Sequence, residues 1–169
     1  MRSKVAKIIN HPKYDDADRL LNDIALLELQ KPVELKEGIE IACMANSDPV
    51  EDEDVVISGW GVDENSEKPE ILKWAQLKIS SREECDKYWK DIHKHKIICT
   101  SDKEKDVCMG DSGGPLIMNL DGMVTVVGIV SFGERCAQKV DGEVDSDAPG
   151  VYTSVAQYQS WIKKNMQLS

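Results

Sequence analysis

At 169 residues the chain is of single-domain length, short of the about 200–250 residues usual for an all-β enzyme of two barrels. Its net charge of −10 and pI near 4.8 exclude a nucleic-acid partner, since phosphate binding requires clustered Lys and Arg. No apolar run approaches the roughly 20 residues of a membrane helix, so no membrane partner is expected. The five cysteines point to an oxidising, extracellular compartment, yet the N-terminal stretch holds no signal peptide. A secreted-style chain of this kind is expected to lack an N-terminal segment, and the odd cysteine count agrees, one partner having been left behind with it.

In chain order, short apolar stretches between turn signals favour an all-β barrel or sandwich. Val5 to Asn10 and Ile24 to Leu29 read as strands. The first ends at His11-Pro12, because Pro12 has no N–H to give to a ladder, and Asp15 to Asp18 reads as a polar loop. Pro49 to Asp54 is an acidic loop, followed by a buried strand from Val55 to Gly61 that ends at a glycine bend. After a polar loop from Asp63 to Glu70, the residues Leu72, Trp74, Leu77 and Ile79 predict a strand whose alternation slips once, as at a bulge. Ser81-Arg82-Glu83-Glu84 predicts a capped start to a short helix running through Tyr88 and Trp89. Met123 to Phe132 is a long β-branched strand. Ser154 and Gln157 repeat the capping signature, and Val155, Tyr158, Trp161 and Ile162 fall on one face of a closing helix.

The densest chemistry lies in Asp106 to Pro115, which reads Asp-Val-Cys-Met-Gly-Asp-Ser-Gly-Gly-Pro. Gly110, Gly113 and Gly114 let the backbone bend tightly enough to expose the Ser112 hydroxyl. With no side chain at Gly110, successive N–H groups can converge on one point and stabilise an oxyanion. A serine merely turning a glycine-rich hairpin is the bland alternative, and the length of the string argues against it. The nucleophile elbow of α/β-hydrolases is excluded by chain order. It needs serine, then acid, then histidine, whereas His11, His93 and His95 all precede Ser112. On its own residues, Asp23 reads as a solvated turn residue or an Asx-turn ahead of an apolar strand. Asp106 follows the charged run Asp102-Lys103-Glu104-Lys105 and taken alone reads as a surface acid.

The string Gly110-Asp111-Ser112-Gly113-Gly114-Pro115, with Asn22-Asp23-Ile24-Ala25-Leu26-Leu27 ahead of it, resembles the chymotrypsin/trypsin-like serine proteases (peptidase S1 type) over essentially the whole chain. The resemblance implies an all-β, trypsin-like double β-barrel with an incomplete first barrel, a complete second barrel and a C-terminal α-helix. Residues 1–45 would be the remnant of the first barrel and linker, 46–153 the second barrel and 154–169 the helix. It implies Ser112 as nucleophile, Asp23 as the acid that orients the base, and the N–H groups of Gly110 and Ser112 as the oxyanion hole. Asp106 would lie at the bottom of the specificity pocket, with Gly133 and Gly150 in its wall and Ser131 on the strand that pairs with substrate, favouring Arg or Lys. Phe132 stands where a tryptophan is more usual. The implied disulfides are Cys85–Cys99 and Cys108–Cys136, with Cys43 left single and Val55 and Met118 replacing a further family bridge. The implied partners are protein or peptide substrates with Arg or Lys and protein inhibitors, with no cofactor and no metal.

Two departures qualify that implication. None of the three histidines stands in the family's Ala-Ala-His-Cys element, so the chain is expected to lack the base and to be inactive alone. Asp111 resembles the acid that pairs with a new N-terminal ammonium after zymogen cleavage. Without that partner it is expected to relax the oxyanion loop, because an unpaired buried charge costs several kcal/mol. The run Lys139 to Ala148 is expected to be a solvated acidic loop, its Asp141, Glu143, Asp145 and Asp147 lacking the full calcium-loop spacing. Three readings stay open: a secreted endopeptidase, a non-catalytic homologue acting as a binding module, and a fragment that does not fold alone. The joint presence of Ser112, Asp23 and Asp106 favours the first.

Overall fold

The computed structural model describes residues 2–15, 21–62, 67–92, 95–101, 109–133 and 148–166, together with the backbone of 139–140 and 143–144. The strands are β1 (Val5–Asn10), β2 (Ala25–Leu29), β3 (Cys43–Met44), β4 (Asp54–Gly59), β5 (Lys73–Ile79), β6 (Ile97–Ser101), β7 (Pro115–Leu120), β8 (Met123–Phe132), β9 (Lys139–Val140), β10 (Glu143–Val144) and β11 (Gly150–Ser154). Helix α1 (Arg82–Tyr88) precedes β6, and α2 (Val155–Met166) follows β11 directly.

Six strands close into a barrel in the order β11-β6-β5-β4-β7-β8, with β11 pairing back onto β8. Closure pairs each of these six strands with a neighbour on either side. Every second residue points inward, so Val55, Ile57, Leu77, Ile79, Leu116 and Tyr152 meet in one core. Gly128 stands where β7, β8 and β11 converge. A Cβ there would press on both Leu116 and Tyr152 at 3.1–3.3 Å. Val55 and Met118, at the positions of the absent family bridge, pack into or against this core instead. The short β3 adds to β8 in parallel, outside the barrel.

The β1–β2 hairpin forms a separate two-stranded sheet. What attaches it to the barrel is α2, whose Val155, Tyr158 and Ile162 bury against Ile24, with Leu26, Met44, Val126 and Ile129 around them. The helix begins as its sequence predicts, the Ser154 hydroxyl accepting from the Gln157 N–H at 3.1 Å. Helix α1 is capped alike, Ser81 Oγ accepting from the Glu84 N–H at 3.1 Å. It ends at Tyr88, one residue sooner than expected, because Trp89 leaves helical geometry as the C-cap. Behind α1, the Cys85–Cys99 disulfide, Ile92 and Val151 make a third buried cluster.

Two other sequence expectations differ from the structure. The β4–β5 ladder runs without a register shift from Asp54↔Lys78 to Gly59↔Lys73, so β5 has no bulge against β4. Its apparent slip arises because Trp74 points outward and is 70% exposed, while Ala75, Leu77 and Ile79 keep strict inward alternation. The stretch read as an acidic loop after Gln138 contains a short antiparallel pair, β9 with β10. The bridge Cys108–Cys136 and the residue Asp106 lie outside the described residues.

The Cys85–Cys99 bridge closes a loop of sequence separation 14. Replacing both cysteines by alanine is expected to lower stability by about 3 kcal/mol. Denaturant titration of the two proteins measures it, and an unmoved midpoint would show that the bridge constrains nothing.

Candidate active site

Ser112 sits on the tight connection between residue 109 and β7. Gly110 has φ +105° and Gly113 φ +79°, both in the region that residues with a Cβ avoid. The turn is tied at each end. The Gly114 N–H donates to Asp111 O at 2.8 Å, and the Val62 N–H donates to Met109 O at 3.0 Å. The Gly113 N–H donates to Val130 O and the Val130 N–H to Gly114 O, both at 2.9 Å. These bonds hold the turn against the end of β8 and leave the Ser112 side chain exposed.

Asp111 points the opposite way, into the protein. Its Oδ1 accepts the Gly61 N–H at 2.8 Å. A Cβ at Gly59 or at Gly61 would overlap the carboxylate, so these two glycines form the cradle that admits it. Asp111, expected to lack an ammonium partner, is half-buried and accepts a hydrogen bond from the Gly61 N–H. That contact follows from the glycine bend after β4. It turns a backbone N–H toward the acid, and a hydrogen bond to a charged group contributes about 1.5–3 kcal/mol.

Asp23 reaches the barrel from the hairpin. The Ser131 hydroxyl donates to Asp23 Oδ2 at 2.6 Å, and the Thr153 hydroxyl donates to the Asp23 carbonyl at 2.8 Å. Ser131 is aimed there by a slip in the β11–β8 ladder. Phe132 faces Val151 and Val130 faces Tyr152, so Ser131 stands between the two pairs without a counterpart. Such irregularities redirect a side chain while the strand continues. Since Val130 holds the Ser112 turn and Ser131 holds Asp23, adjacent residues of β8 bring the two candidates to one end of the barrel.

On the neighbouring wall, Gly150 is buried at the start of β11 and Gly133 is exposed just after β8. The Trp89 indole N–H donates to Pro149 O at 3.0 Å, and its ring meets Phe132 edge-on at 5.2 Å. The segment leading into Gly150 is thereby fastened to the end of α1. Cys43 is single and exposed, its Sγ 4.0 Å from Met123 Sδ.

Sequence reasoning missed the supports of Asp23. Asn22 adopts φ 54°, donates from Nδ2 to Lys13 O at 2.7 Å and accepts the Tyr158 hydroxyl at 2.8 Å. An asparagine before an apolar strand signals a left-handed turn. The Tyr158 hydroxyl, on an otherwise apolar helical face, signals a polar contact. Burial and then the neighbouring Asp23 charge push the Tyr158 hydroxyl up to about 12, so it stays a donor at neutral pH. His11, expected in an ordinary loop, packs its ring on Tyr158 at 5.4 Å and Trp161 at 5.2 Å.

A closed barrel carrying a glycine-bent serine turn, with an acid delivered from a second sheet, is an architecture with known relatives. The Trypsin family model matches residues 1–162, and the chain belongs to this family, the chymotrypsin/trypsin-like serine proteases. Human kallikrein-4 is 32% identical to it over 163 residues, covering 95% of this chain and 60% of kallikrein-4. The chain thus spans less than two thirds of that curated relative's length. Among solved structures, neuropsin, a serine protease expressed in the limbic system of mouse brain, is 33% identical. It superposes with a TM-score of 0.83, covering 97% of this chain and 71% of the neuropsin chain.

The cradle generates a test. In Gly61→Ala the new methyl is expected to turn the Asp111 carboxylate out, losing the Gly61 hydrogen bond at a cost of about 1–3 kcal/mol. Denaturant titration reads the stability, and amide shifts of residues 109–114 read the turn. Unchanged shifts together with unchanged stability would show that the acid does not need the space.

Proposed function

We propose that the chain carries the nucleophile and the orienting acid of a secreted, trypsin-like serine endopeptidase. The observation that carries the reading is the sharing of one strand end, Val130 bonded to the Ser112 turn and Ser131 bonded to Asp23. In the reaction Ser112 Oγ attacks the scissile carbonyl carbon and gives its proton to a base. The Gly110 and Ser112 N–H groups hold the oxyanion, and the amine leaves with the proton returned. Water then repeats the sequence on the acyl-enzyme. Asp23 serves this chemistry by orienting the base and offsetting its positive charge.

Specificity for Arg or Lys rests on Asp106 with Gly133 and Gly150, a carboxylate in a slot whose glycine walls leave room for a long cationic side chain. Substrates are accordingly proteins or peptides with Arg or Lys, and inhibitors are proteins that present such a residue.

The chain alone lacks the base. His11 is committed to Tyr158 and Trp161, and His95 lines a cavity of about 270 Å³ with Ser81, Cys85 and Cys99. His93 lies outside the described residues, and its neighbours in sequence resemble barrel connections. A serine hydroxyl with no base is a weak nucleophile at neutral pH.

Purified 169-residue protein is therefore expected to hydrolyse an Arg ester no faster than its Ser112→Ala variant. Turnover abolished by Ser112→Ala would overturn the missing-base argument. Pocket specificity is read separately through benzamidine, a mimic of the arginine side chain. Binding to the chain, lost in Asp106→Ser, is the expected result. Equal binding by both proteins would remove Asp106 from the pocket and favour a binding module over an endopeptidase.

A further inference from the structure

The segment Asn22–Ile24 is held from both sides by groups outside its own hairpin. On the barrel side are the Ser131 and Thr153 hydroxyls. On the other side are α2 and the loop after β1, through two residues with no part in the chemistry described above. Tyr158 donates to Asn22 Oδ1, and the His11 N–H donates to Ile24 O at 3.1 Å. The His11 ring lies on Tyr158 and Trp161, and its Nδ1 accepts the Lys13 N–H at 3.3 Å. We propose that neutral His11 is a positioning residue for Asp23, clamping the Asn22–Ile24 segment against α2 through Tyr158, and that protonation of His11 opens the clamp.

The geometry favours the neutral ring for two reasons. An imidazolium has no lone pair on Nδ1, so protonation converts the acceptor of the Lys13 N–H into a second donor facing it. The surroundings are also already cationic. Among the described residues, the charged and titratable groups facing the ring are Lys13 from its own loop, Lys96 from the segment before β6, and Tyr158 from α2. The Lys96 ammonium lies 4.8 Å over the Tyr158 ring and bonds Gln157 O at 3.2 Å, fixing a positive charge beside the same aromatic that His11 packs on. Burial, then Lys96, then Lys13 lower the proton affinity of His11 below its ordinary 6.5. The open segment consequently takes up the proton more readily than the clamped one. The clamp is at full strength above 6.5 and weakens as pH falls below it.

For the protease this places an acid-sensitive support under Asp23, a consequence that rests on the role proposed for Asp23. The clamp itself does not, because it is read without catalysis. The experiment is an NMR titration of the labelled 169-residue chain between about pH 7.5 and 5, the range over which histidines titrate. The His11 ring is expected to titrate below its ordinary value, and the amides of Asp23, Ile24 and Ser131 to shift with the same midpoint. Protection of the His11 amide against exchange falls several-fold across it. In His11→Asn, which keeps an acceptor near Nδ1 but takes no proton, the Asp23 and Ser131 amides stay put. In Tyr158→Phe the ring still titrates while the response at Asp23 shrinks. A His11 midpoint at or above the ordinary value overturns the proposal, as does titration without response at Asp23 and Ser131. An undiminished response in His11→Asn does the same. Should His11→Asn fail to fold, coincidence of the wild-type midpoints decides alone.

Discussion

The Ser131–Asp23 hydrogen bond is the contact on which the site depends, because it spans two sheets that share no strand pairing. A hydroxyl donating to a carboxylate contributes about 1.5–3 kcal/mol, enough to choose one arrangement of a short hairpin over its competitors. It works only because β8 slips against β11 at Ser131, turning that side chain out of the barrel's alternation. The residue before it, Val130, bonds the Ser112 turn in both directions. A single local irregularity in one strand therefore sets two distant parts of the sequence against each other.

The serine turn obeys a second constraint, the disposal of charge. Asp111 points inward while Ser112, the next residue, is exposed. Inward placement is open to it only because Gly59 at the end of β4 and Gly61 in the bend after it leave space, and Gly61 supplies an N–H. Any side chain at either position would contest the space that the carboxylate occupies. Gly110 is governed by the same crowding, because a Cβ on it would come within 3.2 Å of Gly61 Cα. Glycines far apart in the sequence thus answer one steric requirement.

Stability is distributed unevenly between the two sheets. The barrel closes on itself and buries Val55, Leu116 and Tyr152 completely. The hairpin leaves Ile8 and Leu27, opposite each other in its ladder, 62% and 59% exposed. Two-stranded sheets are marginal in water by themselves. This one is held by Ile24 beneath α2 and by polar contacts around Asn22 and Asp23. The acid is accordingly carried on the less stable element and oriented by the more stable one.

Much of this was legible in the residues. Strand periodicity gave β1 and β8 their observed limits, and Ser81 and Ser154 marked the helix starts, since capping and alternation are local properties of neighbouring residues. The string around Ser112 and the one around Asp23 named the family. The sequence could not show that Trp74 faces outward without a bulge, because inward and outward positions differ only by what lies opposite. It could not supply the partner of Asp111, fifty residues away on β4's glycine bend. Nor could it reveal that Ser131, Thr153, Tyr158 and His11 converge on Asp23 and its neighbours. Hydrogen bonds between residues more than a hundred positions apart leave no periodicity behind. Local residue types determined the elements and the family; closure of the barrel, the slip in β8 and the docking of α2 determined which polar groups meet, because only the folded chain sets distances between them.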